Sequence, residues 1–138
     1  MEALRFEDVQ VGQTASLEVR LAPETVDVFA RLTGDTNPLH TSEEFARQKG
    51  FGGRVAHGLL VSSFFSTIAG TMLPGRDCIL QSVRFEYRNP ILVGETVTLE
   101  AKVAQKSDAV RVIQLDLKAT GADGAVRLTG RMQAGFLA

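Results

Sequence analysis

The chain of 138 residues contains one cysteine, no excess of charge of either sign and no long apolar run. With Cys78 alone, no disulfide can form within the chain, which fits a reducing compartment. A net charge of −1 provides no basic surface of the kind that binds nucleic acid. No apolar run reaches the ~20 residues of a membrane-spanning helix, and the acidic N-terminal segment lacks the apolar stretch of a secretory signal. We therefore expect a cytoplasmic protein that binds neither nucleic acid nor membrane, and we interpret Cys78 as structural.

Length and composition indicate a single folded domain over residues 1–138. Hydrophobic residues make up 44% and charged residues 22% of the chain, which are ordinary values for a globular protein and exclude a disordered one. The chain is long enough for one domain and too short for two.

The first half of the chain carries two short helical patterns. Residues 22–34 carry a proline and a glutamate at positions 23 and 24, show an apolar stripe and end at a glycine, as a helix does. Residues 41–50 form a second short pattern, which Thr41 or Ser42 can cap. Glu44 stands at the spacing of a capping box with Thr41.

The second half of the chain predicts an antiparallel sheet around one helix. Residues from Gly58 to Leu73 carry no charge, which predicts a helix buried on every side. Alternating apolar residues predict strands, and the connections in the second half are too short for parallel crossovers. These strands cover residues 14–21, 78–88, 96–106, 110–119 and 125–136. The fold class is therefore α+β, with a curved antiparallel sheet wrapped around the helix.

A stiff loop holds the most informative polar residues. Asp35 and His40 flank Asn37 and Pro38, and the proline restricts the residue before it. A carboxylate and an imidazole held at a fixed separation can hold a water molecule between them and act as acid and base. The same residues also suit ordinary turn chemistry, and His40 could cap the next helix. The spacing alone leaves both interpretations open.

The entry to the uncharged helix is a second candidate site. Its first residue, Gly58, would allow a ligand carbonyl to approach the free N–H groups of the helix start, as in an oxyanion site. Alternatively, His57 and Gly58 form only a tight entry to a buried helix.

Two serines of this helix, Ser62 and Ser66, lie one turn apart and share a face. Their hydroxyls either bond back to helix carbonyls or orient Asp35. A serine nucleophile is poorly supported because the chain has no Gly-x-Ser-x-Gly motif. A metal site is also not expected, since the two histidines lie far apart in sequence without a ligand motif.

Three stretches resemble the MaoC-like (R)-specific enoyl-CoA hydratases. They are residues 29–40 (FARLTGDTNPLH, with Ala46 following), 56–60 (AHGLL) and 89–95 (NPILVGE). The resemblance spans nearly the whole chain in the right order. It implies a hot-dog fold and a homodimer or higher homo-oligomer with sites near the subunit interface. The substrate would be a trans-2-enoyl-CoA that is reversibly hydrated to the (R)-3-hydroxyacyl-CoA.

The resemblance also assigns roles by position. Asp35 and His40 would be the catalytic pair, and the Gly58 amide would bind the thioester carbonyl. Ser66 would lie behind Asp35, and Asn37 would shape the loop or touch the pair. Coenzyme A would enter as part of the substrate, with no metal or other cofactor. The alternatives are a hot-dog acyl-CoA thioesterase and a non-catalytic subunit that binds acyl thioesters. Two properties of the substrate stay open. They are the length of its acyl chain and whether the thioester is carried by coenzyme A or by acyl-carrier protein.

Overall fold

Five strands form one antiparallel sheet in the order β1-β3-β4-β5-β2. A computed structural model describes residues 1–138. The strands are β1 (Thr14–Arg20), β2 (Cys78–Tyr87), β3 (Thr96–Ser107), β4 (Val112–Gly121) and β5 (Val126–Phe136). The helices are α1 (Pro23–Thr33), α2 (Pro38–Thr41), α3 (Glu43–Gln48) and α4 (Gly58–Thr71), after a short 3₁₀ turn at Phe6–Asp8. The predicted α+β class is confirmed.

The core lies between the inner face of the sheet and α4. Alternate residues of β3 such as Leu99 are buried, and they share one cluster with Val61, Phe65 and Ile68 of α4. The alternation found in the sequence therefore marks the face that the helix covers. The helix ends at Thr71, two residues before the predicted end. Leu73 precedes Pro74, and a residue before a proline disfavours helical backbone.

The prediction that α4 is buried on every side is wrong for the chain described here. One of its faces is exposed at Leu59, Ser63, Ser66 and Thr67. This face carries no charged residue, although it lies outside the core. An exposed but uncharged face is typical of a surface that another protein covers.

Strand β2 differs most from its prediction. It forms one edge of the sheet, and apolar residues on both of its faces are exposed, with Ile79 48%, Leu80 43% and Val83 43% accessible. Strand β4 also starts two residues later than predicted, because Arg111 adopts a positive φ of 51° in the preceding turn.

Two local features near the site also differ from prediction. The residues after Asn37 form a short helix, α2, where a loop was expected. The next helix, α3, is capped by Ser42, whose Oγ accepts a hydrogen bond from the Phe45 amide at 3.2 Å, so the capping box of Thr41 and Glu44 is not formed. No helix is both long and apolar enough to cross a membrane. The cytoplasmic location stays a prediction.

Candidate active site

The loop after α1 is built to hold Asp35. Gly34 closes the helix with a φ of 79°, and the Thr33 hydroxyl accepts a hydrogen bond from the Asp35 amide at 3.2 Å. Asp35 Oδ1 accepts a hydrogen bond from the Asn37 amide at 3.3 Å. One carboxylate oxygen thus serves the turn, while the other, Oδ2, faces the histidines. Oδ1 therefore takes part in ordinary turn chemistry, Oδ2 is the oxygen nearest the two histidines, and the catalytic role of Asp35 stays a prediction.

Asn37 and Pro38 convert this turn into α2. The Asn37 side chain accepts a hydrogen bond from the Leu39 amide at 2.9 Å, and Pro38 occupies the first helical position. His40 lies within this helix and is not the cap of α3. Asn37 therefore caps the short helix that carries His40.

His40 is fixed by a hydrogen bond from its ring. Its Nδ1 lies 2.6 Å from the Val55 carbonyl oxygen, and its side chain is 14% exposed. A carbonyl oxygen only accepts, so Nδ1 carries the proton and the neutral ring presents a lone pair at Nε2. That Nε2 lies 4.0 Å from Asp35 Oδ2.

His57 joins the pair from the segment before α4. Its ring is buried and stacks on His40, with centroids 3.8 Å apart and planes inclined by 26°. Its Nε2 lies 3.0 Å from the Asp35 carbonyl oxygen and 4.0 Å from Oδ2 of the same residue. Phe29 meets the ring edge-on at 4.8 Å. His57 is therefore a neighbour of both Asp35 and His40, and its ring fixes the backbone of Asp35.

The same three residues are a candidate metal site by distance. Asp35, His40 and His57 each offer one ligand atom, and these atoms lie within 4.8 Å of one another. However, His57 Nε2 already bonds to a carbonyl oxygen and so must be the protonated nitrogen. Binding a metal there would require that hydrogen bond to break. Water is the simpler ligand for the space between Asp35 and His40.

The distance between Asp35 Oδ2 and His40 Nε2 suits one bridging water molecule. Both atoms accept hydrogen bonds, and at 4.0 Å they are too far apart for a direct one. A water with a contact of about 2.8 Å to each can donate one proton to each. The arrangement can therefore orient a water oxygen and remove a proton from it.

Gly58 opens helix α4 next to this pair. No side chain caps the helix, so its first-turn N–H groups keep their hydrogen-bonding capacity. A Cβ on Gly58 would lie 2.7 Å from Cε1 of Tyr87, so a larger residue here would have to displace the tyrosine ring packed against it. The sequence alone favours a different reason for this glycine, the close approach of a ligand carbonyl. The two reasons are compatible.

A cavity of about 480 Å³ opens at Gly58. It is also lined by Leu39, which precedes His40 in the chain, and by Val55, whose carbonyl bonds to the His40 ring. Tyr87 lines it as well. Its walls are mostly apolar, with Arg127 among the polar residues. An apolar cavity with a few polar groups is the usual form of a small-molecule site.

Charge pairs hold the segments that surround the cavity. Arg127 donates to Glu95, and this hydrogen bond, more than the one to Asp123, raises the pKa of the guanidinium above its ordinary value. Glu43 accepts from the Arg54 amide at 3.2 Å, which is the main cause of the lowered pKa of that carboxyl. Since Arg54 precedes His57 by three residues, the contact ties α3 to the segment that positions the histidine.

The two predicted serines have different positions. Ser62 is buried, donates to the Gly58 carbonyl oxygen at 3.0 Å and lies 2.7 Å from the Tyr87 hydroxyl. Ser66 is exposed and has no hydrogen bond to Asp35. Neither serine orients Asp35 within the chain, because Asp35 is held from its own loop and by His57. The placement of Ser66 behind Asp35 stays a prediction.

Comparison with known proteins identifies the family. The sequence profile described as MaoC like domain matches residues 6–122. The chain belongs to the MaoC-like domain family. The predicted family and the hot-dog fold are thereby confirmed.

Relatives of this MaoC-like domain are named as dehydratases and hydratases. The chain is 39% identical over 105 residues to a 3-hydroxybutyryl-CoA dehydratase of Methylorubrum extorquens, covering 76% of this chain and 67% of that protein. It is 33% identical over 124 residues to an (R)-specific enoyl-CoA hydratase of Aeromonas caviae, covering 90% and 92%. The solved structure of an (R)-hydratase from A. caviae superposes with a TM-score of 0.92 at 32% identity, over 94% of this chain and 98% of that one.

Tyr87 is the residue that sequence reasoning did not select. It was assigned only to the alternating pattern of a strand. Its one distinguishing signal was that it is the single tyrosine of the chain. The contact with Ser62 joins residues 25 positions apart, and no local pattern encodes it.

Proposed function

We propose that this protein is an (R)-specific enoyl-CoA hydratase, which adds water to trans-2-enoyl-CoA and catalyses the reverse dehydration. The observation that carries the proposal is the 4.0 Å separation of Asp35 Oδ2 and His40 Nε2, two acceptors beside the uncapped start of α4. The names of the relatives support the same reaction. No catalytic metal is invoked, and coenzyme A is part of the substrate.

The thioester carbonyl docks on the Gly58 amide. A water molecule held by Asp35 and His40 attacks C3, and its oxygen forms the new C–O bond as its proton passes to the pair. The π electrons of the C2–C3 bond move into the thioester, forming an enolate whose oxygen accepts from the Gly58 N–H. C2 then takes a proton from the pair, so water is added across the double bond and the enzyme is restored. The two groups act as one acid–base unit.

The remaining residues position this pair. His57 holds the Asp35 backbone through its Nε2–H and supports the His40 ring by stacking. Asn37 starts the helix that carries His40. These contacts keep the carboxylate and imidazole at a fixed distance, which acid–base catalysis requires.

The working unit of this proposal is a homodimer. Strand β2 leaves one sheet edge unpaired, and Ile79, Leu80 and Val83 are exposed along it. An open apolar edge is a template for pairing with another strand. A second copy of the chain would pair its own β2 with this edge and also cover the uncharged outer face of α4.

The direct test is hydration of crotonyl-CoA, followed by loss of its enoyl absorbance. Asp35→Asn and His40→Ala should each lower kcat by roughly 10²–10⁴-fold. The matched control is Asp108→Asn, which removes an exposed carboxylate in a turn of the sheet. Near-wild-type turnover in both site variants would refute the assignment.

A second measurement separates the alternatives. Release of free thiol from acyl-CoA, detected with a thiol reagent, would instead indicate a thioesterase. Binding of acyl-CoA without hydration or thiol release across chain lengths would indicate a non-catalytic subunit. Repeating the hydration assay from four carbons upward defines the acyl chain length.

A further inference from the structure

The ring of Tyr87 lies directly against Gly58. A Cβ built on this glycine would stand 2.7 Å from Cε1 and 2.9 Å from Cδ1 of the ring. Both residues line the same cavity. Tyr87 is the last residue of the edge strand β2 and is half exposed, so burial in the core does not explain its position.

The Tyr87 hydroxyl reaches the same glycine through Ser62. Its Oη lies 2.7 Å from Ser62 Oγ, and that Oγ lies 3.0 Å from the Gly58 carbonyl oxygen. A serine hydroxyl has one proton, and a carbonyl only accepts, so Ser62 donates to Gly58 and accepts from Tyr87. The hydrogen bonds therefore run in one direction, from Tyr87 through Ser62 to Gly58.

A neighbouring serine provides the comparison. Ser63 Oγ donates to the Leu60 carbonyl oxygen at 2.6 Å and has no side-chain partner. Such a bond back to the helix is ordinary for a helical serine. Ser62 makes this ordinary bond to the Gly58 carbonyl and a second hydrogen bond to Tyr87. The second bond is what distinguishes Ser62 from Ser63.

We propose that Tyr87 and Ser62 are positioning residues for the Gly58 amide. The ring packs against the Gly58 Cα and the hydrogen-bond chain holds its carbonyl, so the residue cannot turn and its N–H stays directed at the thioester carbonyl. An oxyanion donor is effective when its direction is fixed before the reaction. This inference rests on the proposed role of Gly58 in binding that carbonyl.

The kinetic test uses Tyr87→Phe, Ser62→Ala, the double variant and Ser63→Ala as matched control. Tyr87→Phe keeps the ring and removes one hydroxyl. Each single variant should lower kcat for crotonyl-CoA about 3- to 10-fold, the range expected for one hydrogen bond, with a smaller change in KM. The double variant should be no slower than Ser62→Ala, because Tyr87 acts through Ser62. Ser63→Ala should retain wild-type kcat.

A spectroscopic readout separates positioning from stability. Butyryl-CoA labelled with ¹³C at its carbonyl has no C2–C3 double bond and so cannot be hydrated. The stretching frequency of its carbonyl falls when a hydrogen bond polarises the group. Bound to the wild-type enzyme, the label should absorb at lower wavenumber than in water. The downshift should shrink in Tyr87→Phe and Ser62→Ala and persist in Ser63→Ala.

The outcomes distinguish the role of Gly58 from the positioning role of Tyr87 and Ser62. No downshift in the wild-type enzyme would overturn the role of Gly58 itself. A wild-type downshift that Tyr87→Phe leaves unchanged, together with unchanged kcat, would overturn only the positioning role. If Ser62→Ala unfolds, Tyr87→Phe decides the question, because it removes only the oxygen of a half-exposed side chain.

Discussion

His40 and His57 stack with ring centroids 3.8 Å apart, and the Nε2 of each ring lies 4.0 Å from the same carboxylate oxygen of Asp35. Their roles differ because their hydrogen bonds differ. His40 donates through Nδ1 to a carbonyl, which leaves Nε2 free to accept, whereas His57 donates through Nε2 to the Asp35 carbonyl. His40 is thus available for proton transfer, and His57 supports the backbone of Asp35.

Replacing His57 tests this division of roles. His57→Phe keeps a ring against His40 but removes the donor to the Asp35 carbonyl, so kcat should fall about 10-fold, with a loss of roughly 1–3 kcal/mol in the free energy of unfolding. His57→Gln retains a donor and should lose less. Steady-state kinetics and urea unfolding measure both quantities. A His57→Phe variant as inactive as His40→Ala would instead make His57 a catalytic residue.

The catalytic pair should behave as a unit. The double variant Asp35→Asn, His40→Ala should be no more than about 10-fold slower than the slower single variant, because either change already removes the water-binding arrangement. Single-turnover hydration of crotonyl-CoA provides the rates. Fully multiplicative effects would show that the two residues act on separate steps.

Gly58→Ala should be strongly unfavourable because the new Cβ meets the Tyr87 ring. Overpacking of this kind costs about 1–3 kcal/mol in the free energy of unfolding. In a Tyr87→Ala background the same change should cost less, since the obstructing ring is gone. Thermal or urea unfolding of the two single variants and the double variant checks this. Equal costs in both backgrounds would contradict the packing explanation.

Breaking the apolar edge of β2 should prevent dimerisation. Val83→Lys places a charge on a 43% exposed position of the edge strand and should shift the protein to monomer in analytical ultracentrifugation. Val110→Lys is the control, since this valine is 67% exposed in the turn before β4 and outside β2. A monomeric wild-type protein, or a Val83→Lys protein that remains dimeric, would exclude this edge as the interface.

Cys78 should react slowly as a thiol. Partial burial raises the pKa of Cys78 above its ordinary value, so less thiolate is present at neutral pH. Iodoacetamide should therefore alkylate the native protein more slowly than the urea-unfolded protein, and the rate should rise with pH. Cys78→Ala should keep wild-type hydration activity. Loss of turnover in this folded variant would contradict the structural assignment.

Much of the fold followed from local patterns. The alternation in β3 and β5 predicted the correct strands, and the uncharged run from Gly58 predicted the central helix. The errors lie where long-range packing overrides the pattern. Strand β2 alternates like its neighbours, yet it lies at an edge and none of its residues is fully buried within the chain.

The candidate site divides in the same way. The sequence by itself determined the stiff loop that joins Asp35 to His40, since Asn37 and Pro38 act on adjacent backbone through short-range sterics and hydrogen bonds. It also determined the glycine at the start of an uncapped helix and the family to which the chain belongs.

Only the tertiary structure decided which distant groups meet. It brought His57 to the Asp35 backbone across 22 residues and Tyr87 to Ser62 across 25. Such contacts depend on how α4 and the edge strand pack together, because each partner satisfies a local pattern that fits many packings. The tautomers of the two histidines, and hence their division of roles, follow from such long-range contacts, with the Val55 carbonyl for His40 and the Asp35 carbonyl for His57.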